Sequence, residues 1–190
     1  MDTPQLTRQA QPSLKRAFVR NRRGSVAVEF AMLAIPFAML TFAILESCVS
    51  FAASQVLANA TDDVARQLRT GQIKPSEFSA DALKDKICVN LKLMVGNNCK
   101  ANVKVDLRKV DSFSEAANLK IAFSGTGKDR TLSNSNFTFS PGPAMTKNTL
   151  RVFYEWPVIT NFIAGSLSNM KGNKILHYSS VTWQNEPFDD

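Results

Sequence analysis

A long apolar run near the start of the chain constrains the fold most. Between Val26 and Leu45 the only charged residue is Glu29. At about 1.5 Å per residue, a helix of this length spans roughly 30 Å, which matches the hydrocarbon core of a bilayer. The sequence therefore predicts a transmembrane helix over residues 25–46.

Three other interpretations of this run stay open. It can be the core helix of a soluble domain, although few core helices are so long and uncharged. It can be a secretory signal peptide cut near Ser50 and Ala52, although the apolar part of such peptides is shorter. A mitochondrial presequence is the third, because residues 1–24 are rich in arginine and poor in acids.

The positive charge of the chain is concentrated ahead of this run. Residues 1–24 hold six basic residues and one acid, and so carry five of the seven net positive charges. No lysine or arginine occurs in residues 46–65. The positive-inside rule then places the amino terminus in the cytoplasm and the rest of the chain across the membrane. Because the basic charge belongs to a leader rather than to a folded surface, we expect no nucleic-acid binding.

The residue counts disfavour most enzyme classes. The 190 residues include three cysteines and a single histidine, His177. These are too few for a disulfide scaffold or a zinc site, and a histidine-dependent triad would have to use His177. We assign no catalytic residue, cofactor or metal and expect a protein that is not an enzyme. A Ser-Lys or carboxylate enzyme is the less favoured alternative.

Glu29 is the unusual residue of the apolar run. A carboxylate near the bilayer centre costs a few kcal/mol, so that an ionisable residue there is a candidate functional residue. The alternative is an interfacial position, where a glutamate near a helix amino terminus is tolerated by the helix dipole. Gly24 precedes Glu29 by five residues and directly follows the basic leader, which favours the functional interpretation.

The junction Arg23-Gly24-Ser25, followed by Glu29, resembles the processing site of type IV prepilins. The resemblance implies that a prepilin peptidase cuts between Gly24 and Ser25 and that Glu29 is the fifth residue of the mature chain. Cleavage would expose an ammonium on Ser25, about one helical turn from the Glu29 carboxylate. Each charge needs a partner in hydrocarbon, so the pair can form within one subunit or between neighbouring helices.

The residues from Arg23 to Ala31, with Ile35-Pro36 and Ile44-Leu45-Glu46 after them, are similar to the TadE-like family. These proteins are pseudopilins of the bacterial tight-adherence (Flp) pilus system. A looser similarity continues in residues 65–72 and 185–188. The resemblance implies a protein of the inner membrane, with a periplasmic domain, that packs against other pilin-like subunits and Tad assembly proteins.

Two alternatives accompany this interpretation. A TadF-like or TadG-like member shares the same kind of anchor. A membrane-anchored periplasmic binding module, with a ligand site in residues 124–148, belongs to a different functional class. A mature amino terminus at Ser25 separates the pseudopilin from the binding module.

The remainder of the chain predicts an α+β fold. Apolar residues at three- and four-residue spacings continue the first helix to about residue 70, where Gly71 can end it. We expect this amphipathic half to pack on its own domain rather than to form a coiled coil. A second helix is predicted between Ser79 as N-cap and Gly96 as stop, with one apolar face made of Leu83, Ile87, Leu91 and Met94.

Alternating residues predict strands after the second helix. The longer strands are expected at 102–110, 149–156 and 176–184, and shorter ones at 119–123 and 137–139. The first of them is expected to be exposed on one side, the side of Lys104, Asp106 and Arg108. Helices followed by strands are typical of an α+β domain with an antiparallel sheet.

Cys88 and Cys99 flank the short loop between the second helix and the first strand. In an oxidising compartment they are expected to form a disulfide, which on chain entropy alone stabilises a domain by roughly 3 kcal/mol. The alternative is two unpaired small apolar residues. Cys48, at the outer end of the membrane helix, is expected to be a free and partly buried thiol.

These predictions divide the chain into four parts. A basic cytoplasmic leader occupies residues 1–24, and a transmembrane helix follows at 25–46. An amphipathic continuation covers 47–72. A periplasmic α+β domain fills 73–190.

Overall fold

The computed structural model describes residues 24–75 and 78–189. The predicted leader, apart from Gly24, lies outside the described residues. The chain divides into two units with the boundary between Thr41 and Phe42, and each unit is considered by itself. The four-part division expected from the sequence stays a prediction.

Helix α1, Ser25–Arg69, extends over 45 residues with Pro36 inside it. The apolar sequence explains its first part, whose side chains are exposed, and within the described ranges α1 is the helix that is apolar and long enough to span a membrane. In the second unit the helix buries a stripe at three- and four-residue spacing: Ser50, Ala53, Leu57, Ala60, Thr61, Val64, Ala65 and Leu68. This stripe packs into the core of the domain, which confirms the expected packing of the amphipathic half.

Helix α2, Ala80–Val95, has the predicted ends. The Ser79 hydroxyl accepts a hydrogen bond from the Ala82 N–H at 3.2 Å and so caps the first turn. Gly96 follows the last turn with φ 65°, a left-handed conformation that glycine adopts without strain. Its buried residues are Leu83, Ile87 and Leu91. A short helix, α3 (Cys99–Asn102), leads from there into the sheet.

The main sheet has the strand order β4-β1-β5-β6 in the described residues. Its strands are β1 (Val103–Val110), β4 (Phe139–Ser140), β5 (Lys147–Pro157) and β6 (Lys174–Gln184). β5 pairs antiparallel with β1, where Val152 faces Val105, and with β6. β4 runs parallel to β1, so the prediction of an antiparallel sheet is right for the three long strands and wrong at this edge.

Smaller elements connect these strands. They are α4 (Phe113–Ala117), the two-stranded β2–β3 ribbon (Phe123–Ser124 and Thr131–Leu132) and α5 (Asn161–Leu167). The strand expected at 119–123 is reduced to its last residue and Ser124, and the one expected at 137–139 lies at Phe139–Ser140. The architecture remains the predicted α+β class.

The two faces of the sheet are both covered. On one face, apolar residues of β1 and β5 pack with the buried stripes of α1 and α2: Val103, Val105, Leu107, Leu150, Val152, Tyr154 and Trp156. On the other face Phe153 is buried under the ring of Phe137, with centroids 5.0 Å apart. The expectation that β1 is exposed on one side is wrong at Asp106, which is completely buried, whereas Lys104 and Arg108 on the same side are partly exposed.

Candidate processing and assembly site

The predicted processing residues lie at the start of α1. Ser25 is the first residue of the helix and Glu29 follows one turn later. The Ser25 hydroxyl donates a hydrogen bond to Oε1 of Glu29 at 2.9 Å, and both side chains are exposed. The helix thus places the carboxylate next to the residue that would carry the new amino terminus after cleavage.

Gly24 has unoccupied space around it. A Cβ atom built on Gly24 would meet no atom within 4 Å. The described part of the chain therefore gives no steric reason for a glycine at this position.

The apolar side chains after this site have no cover. Phe30, Leu33 and Phe37 are each more than 70% exposed. Burial of such side chains is favourable by roughly 1.5–3 kcal/mol each. A bilayer or neighbouring apolar helices would supply that burial.

Glu46 makes a long-range contact that sequence reasoning missed. Its carboxylate accepts hydrogen bonds from the backbone N–H groups of Ile159 and Thr160, the latter at 3.1 Å. This Glu46 clamp fixes the loop after β5 to α1 across 113 residues of sequence. The one available signal was an acidic residue that directly follows an apolar run.

Ser50 and His177 form a buried polar pair in the core. The Ser50 hydroxyl and Nε2 of His177 are 3.2 Å apart, and the imidazole ring lies 5.8 Å from the ring of Trp156. Burial lowers the pKa of His177 from its ordinary value of 6.5, because the charged form is desolvated. His177 is thus a packed residue of β6.

We expect the stability of the domain to decline when the pH falls below about 6.5. The unfolded chain then binds a proton on His177 that the folded chain, with its lowered pKa, does not bind, so the free energy of unfolding falls until the folded state is also protonated. Urea unfolding of the detergent-solubilised protein between pH 8 and 5, followed by tryptophan fluorescence, measures this slope. His177→Gln should flatten the slope, and an unchanged slope in that variant would assign it to other groups.

A disulfide joins Cys88 of α2 to Cys99 of α3, as the sequence predicts. The Cα atoms are 5.8 Å apart, and the bond ties the middle of α2 to the short helix that precedes β1. Cys48 is free, but it is exposed rather than partly buried as expected. The reason is that Cys48 lies off the buried stripe of α1 that starts at Ser50.

The number of cysteines per chain that react with an alkylating reagent tests the disulfide in the exported protein. After solubilisation under non-reducing, denaturing conditions, mass spectrometry should find one label per chain, on Cys48. Reduction before alkylation should raise the number to three. Three labels without reduction would contradict both the bond and the predicted export of the domain, because thiols stay reduced in the cytoplasm.

A buried network of charged residues binds the segments that cover the second face of the sheet. One oxygen of Asp106 accepts from Nε of Arg151 at 2.9 Å, and the other accepts from Arg108 and from the N–H of Thr138. Arg151 also donates to the carbonyl groups of Leu119 and Lys120, each at 3.3 Å. The exposure of Asp106 is 0% and that of Arg151 is 4%, so this network is part of the interior.

The segment 124–148, considered above as a ligand site, serves this network. Phe137 stacks on the sheet, and the carbonyl of Asn136 accepts from Arg108 at 2.6 Å. Among the described residues no group of three histidine, cysteine or acidic side chains could hold a metal ion. The observed contacts of the segment are those of a structural cover.

One comparison with known proteins finds a family likeness over α1. The family model described as TadE-like protein matches residues 24–66, from the glycine before α1 almost to the end of that helix. No curated protein and no solved structure matches the chain significantly. The match begins at Gly24 and includes Ser25, Glu29 and Glu46. The suspected resemblance is thereby confirmed, and the chain carries a TadE-like segment over its long amino-terminal helix.

Proposed function

We propose that this protein is a minor pilin-like component of the Tad (Flp) pilus assembly system, anchored in the bacterial inner membrane by residues 25–46. A prepilin peptidase removes residues 1–24, and the α+β domain lies in the periplasm. The protein acts by packing its anchor helix against other pilin-like subunits. It performs no catalysis itself.

The observation that carries this proposal is the combination of the family match with the geometry at its start. The TadE-like match begins at Gly24, the residue after which the peptidase would cut. Ser25 and Glu29 are in hydrogen-bond contact there. A new ammonium on Ser25 would share that helical turn with the carboxylate, and opposite charges in apolar surroundings stabilise each other.

The exposed surface of the anchor supports the assembly role. Most apolar side chains in residues 26–40 of α1 are exposed. In a membrane, helices associate by close packing and by polar contacts between them rather than by the hydrophobic effect. A charge pair near the start of the helix gives such an association a defined register.

We expect Gly24→Leu to block leader removal. A Cβ at position 24 meets no atom of the described residues within 4 Å, so the variant should insert and fold, whereas a peptidase that accepts only a small residue should reject it. Intact-mass measurement of protein from peptidase-positive cells should find wild-type chains that begin at Ser25. The variant should keep residues 1–24.

Gly165→Leu is the matched control, because a Cβ at Gly165 also meets no atom within 4 Å. This variant should be processed like the wild type. A wild-type chain that retains its leader in peptidase-positive cells would refute the pseudopilin proposal. Complete cleavage of Gly24→Leu would refute the role of Gly24.

A further inference from the structure

The Glu46 clamp places a loop of the domain at the end of the apolar run. Glu46 is the first charged residue after Glu29, so a membrane-spanning α1 would leave the hydrocarbon at this turn. The N–H groups of Ile159 and Thr160 are bound to the Glu46 carboxylate. The loop is therefore held at the level where the chain would leave the membrane.

The loop bound by Glu46 and the helix that follows it expose apolar side chains. Ile159 is 81% exposed, and Phe162, in the first turn of α5, is 69% exposed. A groove of about 220 Å³ opens beside them. Its lining is largely apolar and includes Phe42, Leu45, Val49, Trp156 and Ile159. Phe42 and Leu45 belong to the apolar run itself, so this surface is continuous with the predicted membrane segment.

Trp156 lines the same groove. Its side chain is 5% exposed, and its indole Nε1 has no hydrogen-bond partner among the described residues. A buried donor without an acceptor is unfavourable. Tryptophan is enriched at membrane interfaces, where its ring contacts apolar groups and its N–H binds lipid or water oxygen atoms.

Positive charge lies beside α5. The Lys128 ammonium donates to the carbonyl of Gly165 in α5, and the backbone N–H of Lys171 donates to the carbonyl of Arg130, two residues after Lys128. Lys128 and Lys171 are exposed, with Asp129 as the acidic residue in the same turn as Lys128. An excess of cations next to exposed apolar side chains favours an anionic lipid surface.

We propose that the surface formed by Ile159, Phe162 and the groove beside Glu46 contacts the phospholipids of the membrane leaflet that faces the domain. The apolar side chains enter the boundary between headgroups and acyl chains. This inference rests on the membrane anchor of the proposed function. The Glu46 clamp sets the depth of the loop, and the contact orients the domain on the membrane.

Fluorescence quenching in lipid nanodiscs tests the contact. The full chain carries Cys48→Ser, keeps the Cys88–Cys99 disulfide and receives one labelled cysteine. The test position is Phe162→Cys. The aqueous control is Leu93→Cys, because Leu93 of α2 is 96% exposed and apolar. The membrane control is Phe37→Cys. Discs contain one protein copy and either ordinary or brominated phospholipids.

We expect brominated lipid to reduce the emission of the labels at 162 and 37 but not at 93. The loss at position 162 should be larger with bromine near the headgroups and with anionic lipid. Emission at 162 that equals the emission at 93, together with quenching at 37, would overturn this inference alone. Without quenching at 37 the anchor itself fails, and the proposed function fails with it.

A second copy of the chain is the competing occupant. In that case the label at 162 would be shielded from water only in discs that hold several copies. Its emission would be insensitive to bromine. This result would overturn the lipid contact, whereas bromine quenching in single-copy discs excludes a second copy as the cause.

Discussion

Asp106→Ala should destabilise the domain by about 3–5 kcal/mol, the usual cost of removing one partner of a buried ion pair. The variant leaves the 4%-exposed Arg151 without its carboxylate and removes the acceptor for the Thr138 N–H. Small domains are stable by about 5–15 kcal/mol, so the loss takes a large part of the total. Urea unfolding of the processed protein in detergent, followed by the emission of the buried Trp156 and Trp183, measures it.

Asp85→Ala provides a matched control on the surface. Asp85 pairs with Lys100, and both side chains are more than half exposed. Such pairs contribute at most about 1 kcal/mol. If Asp106→Ala costs no more than Asp85→Ala, the network is not a determinant of stability and the cover of the second face is held by Phe137 and its neighbours.

Replacing both charged residues by apolar ones separates the cost of leaving a buried charge unpaired from the cost of lost packing. Asp106→Leu combined with Arg151→Met exchanges the ion pair for apolar side chains of similar size. Such replacements are often neutral or stabilising, so the double variant should recover much of the stability lost in Asp106→Ala. The carbonyl groups of Leu119 and Lys120 lose their donor in this variant, which limits the recovery.

The sequence predicted the elements whose signals are local. The apolar run and its amphipathic continuation predicted α1 to within one residue at each end. Ser79 and Gly96 marked the ends of α2 because capping and left-handed conformations belong to particular residue types. The strict alternation of residue types along the chain predicted β1 and β5. These signals depend on residues a few positions apart, and the sequence displays them directly.

The features that the sequence did not predict depend on distant residues. The alternation of β1 placed Asp106 on a polar side, but the chain from Leu119 to Thr138 returns to cover that side. The Glu46 clamp joins residues 113 positions apart. Two-residue strands such as β4 have no pattern of their own, so the parallel edge of the sheet could not be inferred either.

The candidate processing site was predicted almost entirely from sequence. Its residues are consecutive or one helical turn apart, and the fold adds only the contact between Ser25 and Glu29. Gly24 illustrates the reason. No atom of the described chain lies within 4 Å of a Cβ at this position, so the contacts of the fold add nothing to the sequence prediction there.

Glu29→Ala should separate assembly from processing. The variant keeps Gly24 and the apolar run, so membrane insertion and leader removal should continue. It removes the carboxylate that would neutralise the ammonium of the mature Ser25. A charge left without a partner in apolar surroundings costs a few kcal/mol, so association with pilin-like partners should weaken about tenfold or more. Mass spectrometry of the mature chain, co-purification of pilin-like subunits and surface piliation are compared with the wild type.

Two further variants identify which property of Glu29 is needed. Glu29→Gln keeps an oxygen that can accept the Ser25 hydroxyl but has no charge, whereas Ser25→Ala removes the hydroxyl and keeps the carboxylate. If the charge pair drives assembly, Glu29→Gln should fail like Glu29→Ala and Ser25→Ala should assemble normally. The reverse pattern would assign the effect to the hydrogen bond. Normal partner binding and piliation in Glu29→Ala would show that Glu29 is only an interfacial carboxylate tolerated by the helix dipole, and the assembly role proposed for it would be wrong.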